Sequence, residues 1–122
     1  MRKLTVYPER RHQTLDNFGA SMAWWMDPVG ERYPEAVRED MARLLFDQQH
    51  GIGLSCVRMN LGGGSKWYDT EAIVNWERRS ACFQHGPGSA YDWSQHAGQQ
   101  DFLRRAKAHG VEKTLAFVNT PP

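Results

Sequence analysis

An α/β fold built on parallel strands is predicted for this chain of 122 residues, and three observations predict it. Short β-favouring runs alternate with amphipathic helical segments. The run Gly53 to Asn60 carries apolar residues on both faces, and the strands that follow helices end in polar residues, Arg58/Asn60 and Asn119/Thr120. A strand apolar on both sides is covered on both sides, as in sheets flanked by helices. Alternation of strand and helix implies parallel strands joined by right-handed crossovers. An open doubly wound sheet and a closed barrel both satisfy the pattern. In a parallel barrel the C-terminal strand ends open onto the active-site face.

The elements follow in order. Residues 3–7, Lys-Leu-Thr-Val-Tyr, alternate and read as a short strand closed by Pro8. A second extended stretch covers 13–20 and leads into Trp24-Trp25, then the turn signals Asp27-Pro28 and Gly30. The spacing predicts a helix over 34–49, with Pro34 and Glu35 in its first turn and Gly51 beyond its end. Val37, Met41, Leu44 and Leu45 form its apolar stripe. In the strand 53–60, Leu54, Cys56, Arg58 and Asn60 share one face, opposite Val57 and Met59. Residues 61–93 form a long irregular stretch, and loops of that length are usually functional or disordered. A second helix spans 95–109, capped by Asp92 or Ser94, with Phe102, Leu103 and Ala106 as its stripe and Gly110 as its stop. A last strand, 113–119, halts at Pro121-Pro122.

Composition removes several function classes. With 15 basic and 14 acidic residues the net charge is +1, so no nucleic-acid or membrane-surface partner is expected. There is no apolar run of about 18 residues, hence no transmembrane helix, and the basic start lacks the apolar stretch of a signal peptide. Cys56 and Cys82 have no metal-site spacing and read as free, partly buried thiols. The five histidines form neither HxH nor HExxH, so neither metal nor other cofactor is expected. Leu61-Gly62-Gly63-Gly64-Ser65 follows a strand but matches no phosphate-binding motif. Its glycines suit a sharp turn.

Two features point towards a site. By alternation Arg58 lies at the end of its strand, where a guanidinium can hold a carboxylate or a sugar hydroxyl; the competing reading is a structural ion pair at a sheet end. Five tryptophans, Trp24, Trp25, Trp67, Trp76 and Trp93, lie almost wholly in loops, with Tyr68 and Tyr91. Any one of them is more readily a packing plug. As a set at strand-end loops they favour a stacking surface for carbohydrate.

Gln13-Thr14-Leu15-Asp16-Asn17-Phe18-Gly19-Ala20-Ser21 with Ala23-Trp24-Trp25 resembles the opening barrel strand and loop of glycoside hydrolase family 30, of the endo-β-1,6-galactanase type. Gly51-Ile52-Gly53-Leu54-Ser55, Arg58-Met59-Asn60-Leu61-Gly62-Gly63-Gly64, Tyr91-Asp92-Trp93 and Phe117-Val118-Asn119-Thr120-Pro121-Pro122 continue the resemblance in the same order. Asn17 departs from the related pattern, which has Gly there, and the 61–93 loop matches least well.

The resemblance implies a partial (β/α)₈ barrel, its first three strands and two helices over 13–122, with residues 1–12 giving a strand to a side β-sandwich. It implies a carbohydrate substrate, secretion, and retaining hydrolysis by two glutamates about 5 Å apart. Those glutamates belong to the fourth and seventh strands, and no glutamate here matches them, so no catalytic residue is assigned within this chain. A barrel of this class takes about 250 residues, so these 122 would be its N-terminal part, inactive alone. Arg58 matches the arginine that lies beside the nucleophile and keeps it ionised. Asn60, Trp24, Trp25 and Asn119 complete the candidate substrate-binding set. The alternative is a non-catalytic carbohydrate-binding protein that uses the loop aromatics.

Overall fold

Three parallel strands and three helices appear in the computed structural model, which describes residues 2–62, 82–84 and 86–118. In chain order they are β1 (Gly19–Ser21), α1 (Met26–Arg32), α2 (Glu35–Phe46), β2 (Cys56–Leu61), α3 (Ala97–Ala108) and β3 (Lys113–Val118). The sheet order is β1-β2-β3 with both pairings parallel. The register sets Ser21 beside Arg58 and Arg58 beside Leu115.

Val57 and Met59 face the helices and are buried with Met22, Met26, Phe46, Phe102 and Ala106. Phe46 and Phe102 are almost wholly enclosed, and burial of that kind contributes roughly 1.5–3 kcal/mol each. The alternate β2 residues Cys56 and Arg58 lie on the other, open face and are only half-buried.

Four expectations need correction. Residues 3–7 form no strand; Leu4 and Val6 are exposed. Extended backbone becomes a strand only by pairing, and among the described residues nothing pairs with this segment. Second, Asp27-Pro28 and Gly30 do not turn the chain but lie inside a helix, α1. Pro28 is tolerated in the first turn, where an N–H has no intrahelical acceptor. Gly30 allows contact with α3, since a Cβ on it would stand 2.4 Å from the Gly98 Cα.

Third, α2 ends at Phe46, before Gly51. The Asp47 carboxylate accepts the N–H groups of Gln49 and His50, both at 2.8 Å, which diverts the backbone from the helix. The chain then folds back, and Ile52 and Leu54 donate to the Leu44 and Leu45 carbonyls at 2.8 and 2.9 Å. Leu54 consequently packs against the core instead of sharing a face with Arg58. Burial of Phe46 and Ala42, one turn apart, also rotates the predicted stripe, leaving Val37 and Leu44 exposed.

Fourth, neither Asp92 nor Ser94 caps α3. Asp92 accepts from the Ser94 N–H and hydroxyl and from Gln95 Nε2, so it braces the turn before the helix. The α3 cap position is His96, in the left-handed conformation at φ 56°. Phe102, Leu103 and Ala106 face the core as expected, and Gly110 follows the helix at φ 90°, a conformation glycine adopts freely.

Candidate functional site

β1 approaches β2 closely because residue 19 is glycine: a Cβ there would stand 2.6 Å from the Cys56 carbonyl oxygen. This brings Ser21 level with Arg58. Arg58 Nε donates to Ser21 Oγ at 3.2 Å, and its guanidinium carbon lies 4.2 Å from the Phe117 ring centroid. The fork thus spans all three strands, fixed by a hydrogen bond on one side and a cation–π contact on the other. Its two terminal amino groups make no hydrogen bond to the described residues, and no carboxylate pairs with it there. The structural ion pair that the sequence also allows for Arg58 is therefore absent among the described residues. A shallow cavity of about 290 Å³ lies beside it, lined by Gly19, Ala20, Ser21, Cys56, Arg58 and Leu115. Cys56 and Cys82 are unpaired.

Asn60 follows Arg58 by two positions and is buried, with its Oδ1 enclosed and without a partner among the described residues. Its backbone has an unusual partner. The β1–β2 ladder ends where the Met22 N–H reaches the Arg58 carbonyl at 2.9 Å, so the Asn60 N–H has no strand to bond. Gln99 of α3, fully buried, accepts it through Oε1 at 3.0 Å. That bond orients the Gln99 amide, whose Nε2 donates to Asp27 Oδ2 at 3.1 Å.

Asp27 Oδ2 is also 2.8 Å from His96 Nδ1, and Asp27 Oδ1 accepts the Gln99 backbone N–H at 3.0 Å. A carboxylate only accepts, so His96 Nδ1 carries the proton in this contact. Burial would raise the Asp27 pKa, but the bonds from His96 and Gln99 outweigh it and hold the carboxyl below its usual range. One carboxylate on α1 therefore caps α3, whose first N–H groups have no partner of their own. Through Gln99 it also fixes the end of β2.

Farther from the strand ends, Arg105 binds Asp101 at 2.8 Å and Glu39 at 2.6 Å, and Arg38 binds Asp101 at 2.6 Å. Burial opposes ionisation of Asp101, and the two arginines more than offset it, so its carboxyl is also held low. This network joins α2 to α3 and has no evident part in a site.

The proposed aromatic set divides. Trp25 packs against the core beside Met22, Met26 and Leu45. Trp24 is exposed at the end of the β1–α1 loop. The two are separated from β1 by Met22 and by Ala23, the latter at φ 45°. A non-glycine residue there costs about 1–2 kcal/mol, and such strain collects at functional loops. Asn119, Trp67, Tyr68 and Trp76 lie outside the described residues.

Ser21, Phe117, Asp27, His96 and Gln99 also belong to the arrangement, although the sequence patterns do not single them out for it. Gln99 did leave a signal, a polar residue in line with Phe102 and Ala106 on the apolar stripe of α3. The Ser21–Arg58 contact left none, for it depends on register between strands 37 residues apart.

Three comparisons bear on this arrangement. Residues 1–122 match the profile of O-glycosyl hydrolase family 30. An endo-β-1,6-galactanase of Hypocrea rufa is 27% identical over 139 residues, covering 97% of this chain and 28% of that protein. A conserved exported protein from Bacteroides fragilis superposes with TM-score 0.82 at 31% identity, over 96% of this chain and 25% of that one. The catalytic domain of a family 30 xylanase C from Talaromyces cellulolyticus gives TM-score 0.58 at 26% identity, over 91% and 24%. The chain thus spans about a quarter of the length of each of these relatives.

Proposed function

Because the chain belongs to O-glycosyl hydrolase family 30, we propose that it forms the first three strands of a (β/α)₈ barrel whose complete form is a retaining β-glycosidase. Its substrate class is a β-linked polysaccharide or oligosaccharide of the endo-β-1,6-galactanase type, the activity named for the Hypocrea rufa relative. Residues 1–12, of which 2–12 pair with no described strand in this chain, are assigned to a side β-domain whose other strands would supply the missing neighbour, and export follows the Bacteroides fragilis neighbour, described as an exported protein.

The observation that carries this reading is Arg58: a guanidinium on the open face of the central strand, held at Nε and over a ring, with its amino groups unbonded among the described residues. A retaining mechanism needs two carboxyl groups about 5 Å apart, one staying ionised as nucleophile while the other gives and takes a proton. An arginine at hydrogen-bond range lowers a carboxyl pKa by roughly 1–3 units. Arg58 would act this way on a nucleophile from a later strand, with Asn60 two positions along the same strand and Trp24 at the rim; Asn119 joins the proposed substrate-binding set by its place in the family motif alone. The glutamates themselves are assigned to strands beyond this chain.

The test is hydrolysis of β-1,6-galactan and of an aryl β-galactoside by the full-length protein, with Arg58→Met and Arg58→Lys beside it. Both variants should lose at least about a hundred-fold in kcat, and the acid limb of the kcat profile should move up by roughly one pH unit or more as the nucleophile loses its cation. Lysine should restore the limb in part, since it returns charge without the fork. Full activity with an unmoved acid limb in Arg58→Met would sink the assignment.

A further inference from the structure

Tyr91 and Trp93 stack on each other, ring centroids 5.3 Å apart and planes 19° from parallel, yet remain 60% and 67% exposed. They are two residues apart in an irregular segment, and extended backbone sends such residues to the same side. Several bonds hold the segment in place. The Asp92 N–H donates to the Phe83 carbonyl at 2.6 Å, Gln84 bridges to Tyr91, and the Asp92 carboxylate braces Ser94 and Gln95. Phe83 supports Trp93 from behind at 5.3 Å. Two large rings thus stand largely unpacked by the described residues, although packing them inward would release water from both.

Beside them lies a cavity of about 350 Å³, lined by Met59, Leu61, Phe83, Tyr91, Trp93 and Gln100. That is within the range of small-ligand sites, about 300–1,000 Å³. Its walls are apolar apart from Gln100. The Gln100 Nε2 donates to the carbonyls of Trp93 and Gln95, both at 2.8 Å, which leaves Oε1 as an acceptor without a partner among the described residues. A sugar ring fits this combination, with a C–H face for an aromatic ring and a hydroxyl for an amide oxygen.

We propose that Tyr91 and Trp93, with Gln100, form an outer glycan-binding subsite that holds a β-linked polysaccharide chain away from the bond being cut. The proposal rests on the glycosidase reading above. Its occupant follows from placement: Met59 and Leu61 lie on the helix side of β2, whereas Arg58 lies on the open side. A single sugar cannot touch both sides of a strand end, so under that reading a ligand reaching from Arg58 to these rings would be an extended chain.

The experiment uses the full-length protein run through gels cast with soluble β-1,6-galactan or β-1,4-xylan, next to Trp93→Ala, Tyr91→Ala and Trp93→Phe. The rings are mostly exposed, so alanine should leave the melting temperature in place, and the phenylalanine variant keeps a stacking face. Wild type should be retarded by one of the polysaccharides, and Trp93→Ala should weaken the apparent binding constant about ten-fold, with Trp93→Phe recovering most of it. The ratio of kcat/KM on polymer to kcat/KM on an aryl glycoside should fall by about the same factor. Equal retardation of wild type and Trp93→Ala, or none of wild type, overturns the subsite. So does a Trp93→Ala variant changed only in sedimentation, which would make this face a protein contact. Trp93-dependent retardation without hydrolysis of any β-glycoside would keep the subsite and remove the enzyme; hydrolysis with a ratio indifferent to Trp93 would do the reverse.

Discussion

Replacing Gly98 with alanine sets two effects of opposite sign against each other. Gly98 is the second residue of α3, and in an exposed helix interior Gly to Ala gains about 1 kcal/mol. Packing says otherwise. A Cβ at position 98 would stand 2.2 Å from the Asp27 carbonyl oxygen and 2.6 Å from the Asp27 Cα, both backbone atoms that no rotamer change can move. Non-bonded carbon atoms sit about 3.5–4.0 Å apart, so α1 must retreat by roughly 1 Å or more. Overpacking of this kind costs about 1–3 kcal/mol. The retreat also pulls Asp27 away from the Gln99 N–H, now at 3.0 Å, and a hydrogen bond to a charged group is worth about 1.5–3 kcal/mol. Against the propensity gain, a net loss of about 2–4 kcal/mol is expected. Urea unfolding of the full-length protein, followed by tryptophan fluorescence, should show the lower midpoint. Gly86→Ala is the control, because a Cβ there meets nothing within 4 Å and it should be neutral or slightly stabilising. If Gly98→Ala were as stable as wild type or more so, the backbone contact between α1 and α3 would be wrong as described.

Two more outcomes follow from the buried polar chain. Gln99→Leu keeps the volume but strands the Asn60 N–H and takes one donor from Asp27, which should cost about 2–4 kcal/mol and speed amide exchange at Asn60; unchanged exchange there would show that Gln99 does not hold the strand end. Asp27 and Asp101 have folded-state pKa values below their unfolded ones, so at acid pH the unfolded chain binds more protons. Their contribution should be complete above the ordinary carboxyl pKa of about 4 and disappear as pH falls through the lowered values. Urea midpoints measured from pH 7 down to 2.5 should therefore drop at the acid end, less steeply in Asp27→Asn; identical slopes would deny Asp27 that part.

Much of the fold was legible because it rests on local rules. The strands β2 and β3 and the helices α2 and α3 lie where alternation and apolar spacing predicted them, with ends shifted by a few residues. The errors arose where a partner distant in sequence took over. Asp27-Pro28 and Gly30 look like a turn until α3 is available to pack on them, and then Gly30 becomes the point of contact between helices. Asp92 has the chemistry of a cap, but the cap came from Asp27, 72 residues before the amide it binds. Residues 3–7 have the alternation of a strand, and alternation cannot supply a neighbour.

The same division runs through the candidate site. The order of motifs in the sequence was enough to identify family membership and to single out Arg58, because those depend on which residues follow one another. Tertiary structure decided what Arg58 touches, that Trp25 packs partly buried against the core, and that Gln99 completes the ladder where β1 stops. Parallel strands carry no record of their register in the sequence between them. Only the close approach at Gly19 and the helices packed on the sheet fix which side chains meet.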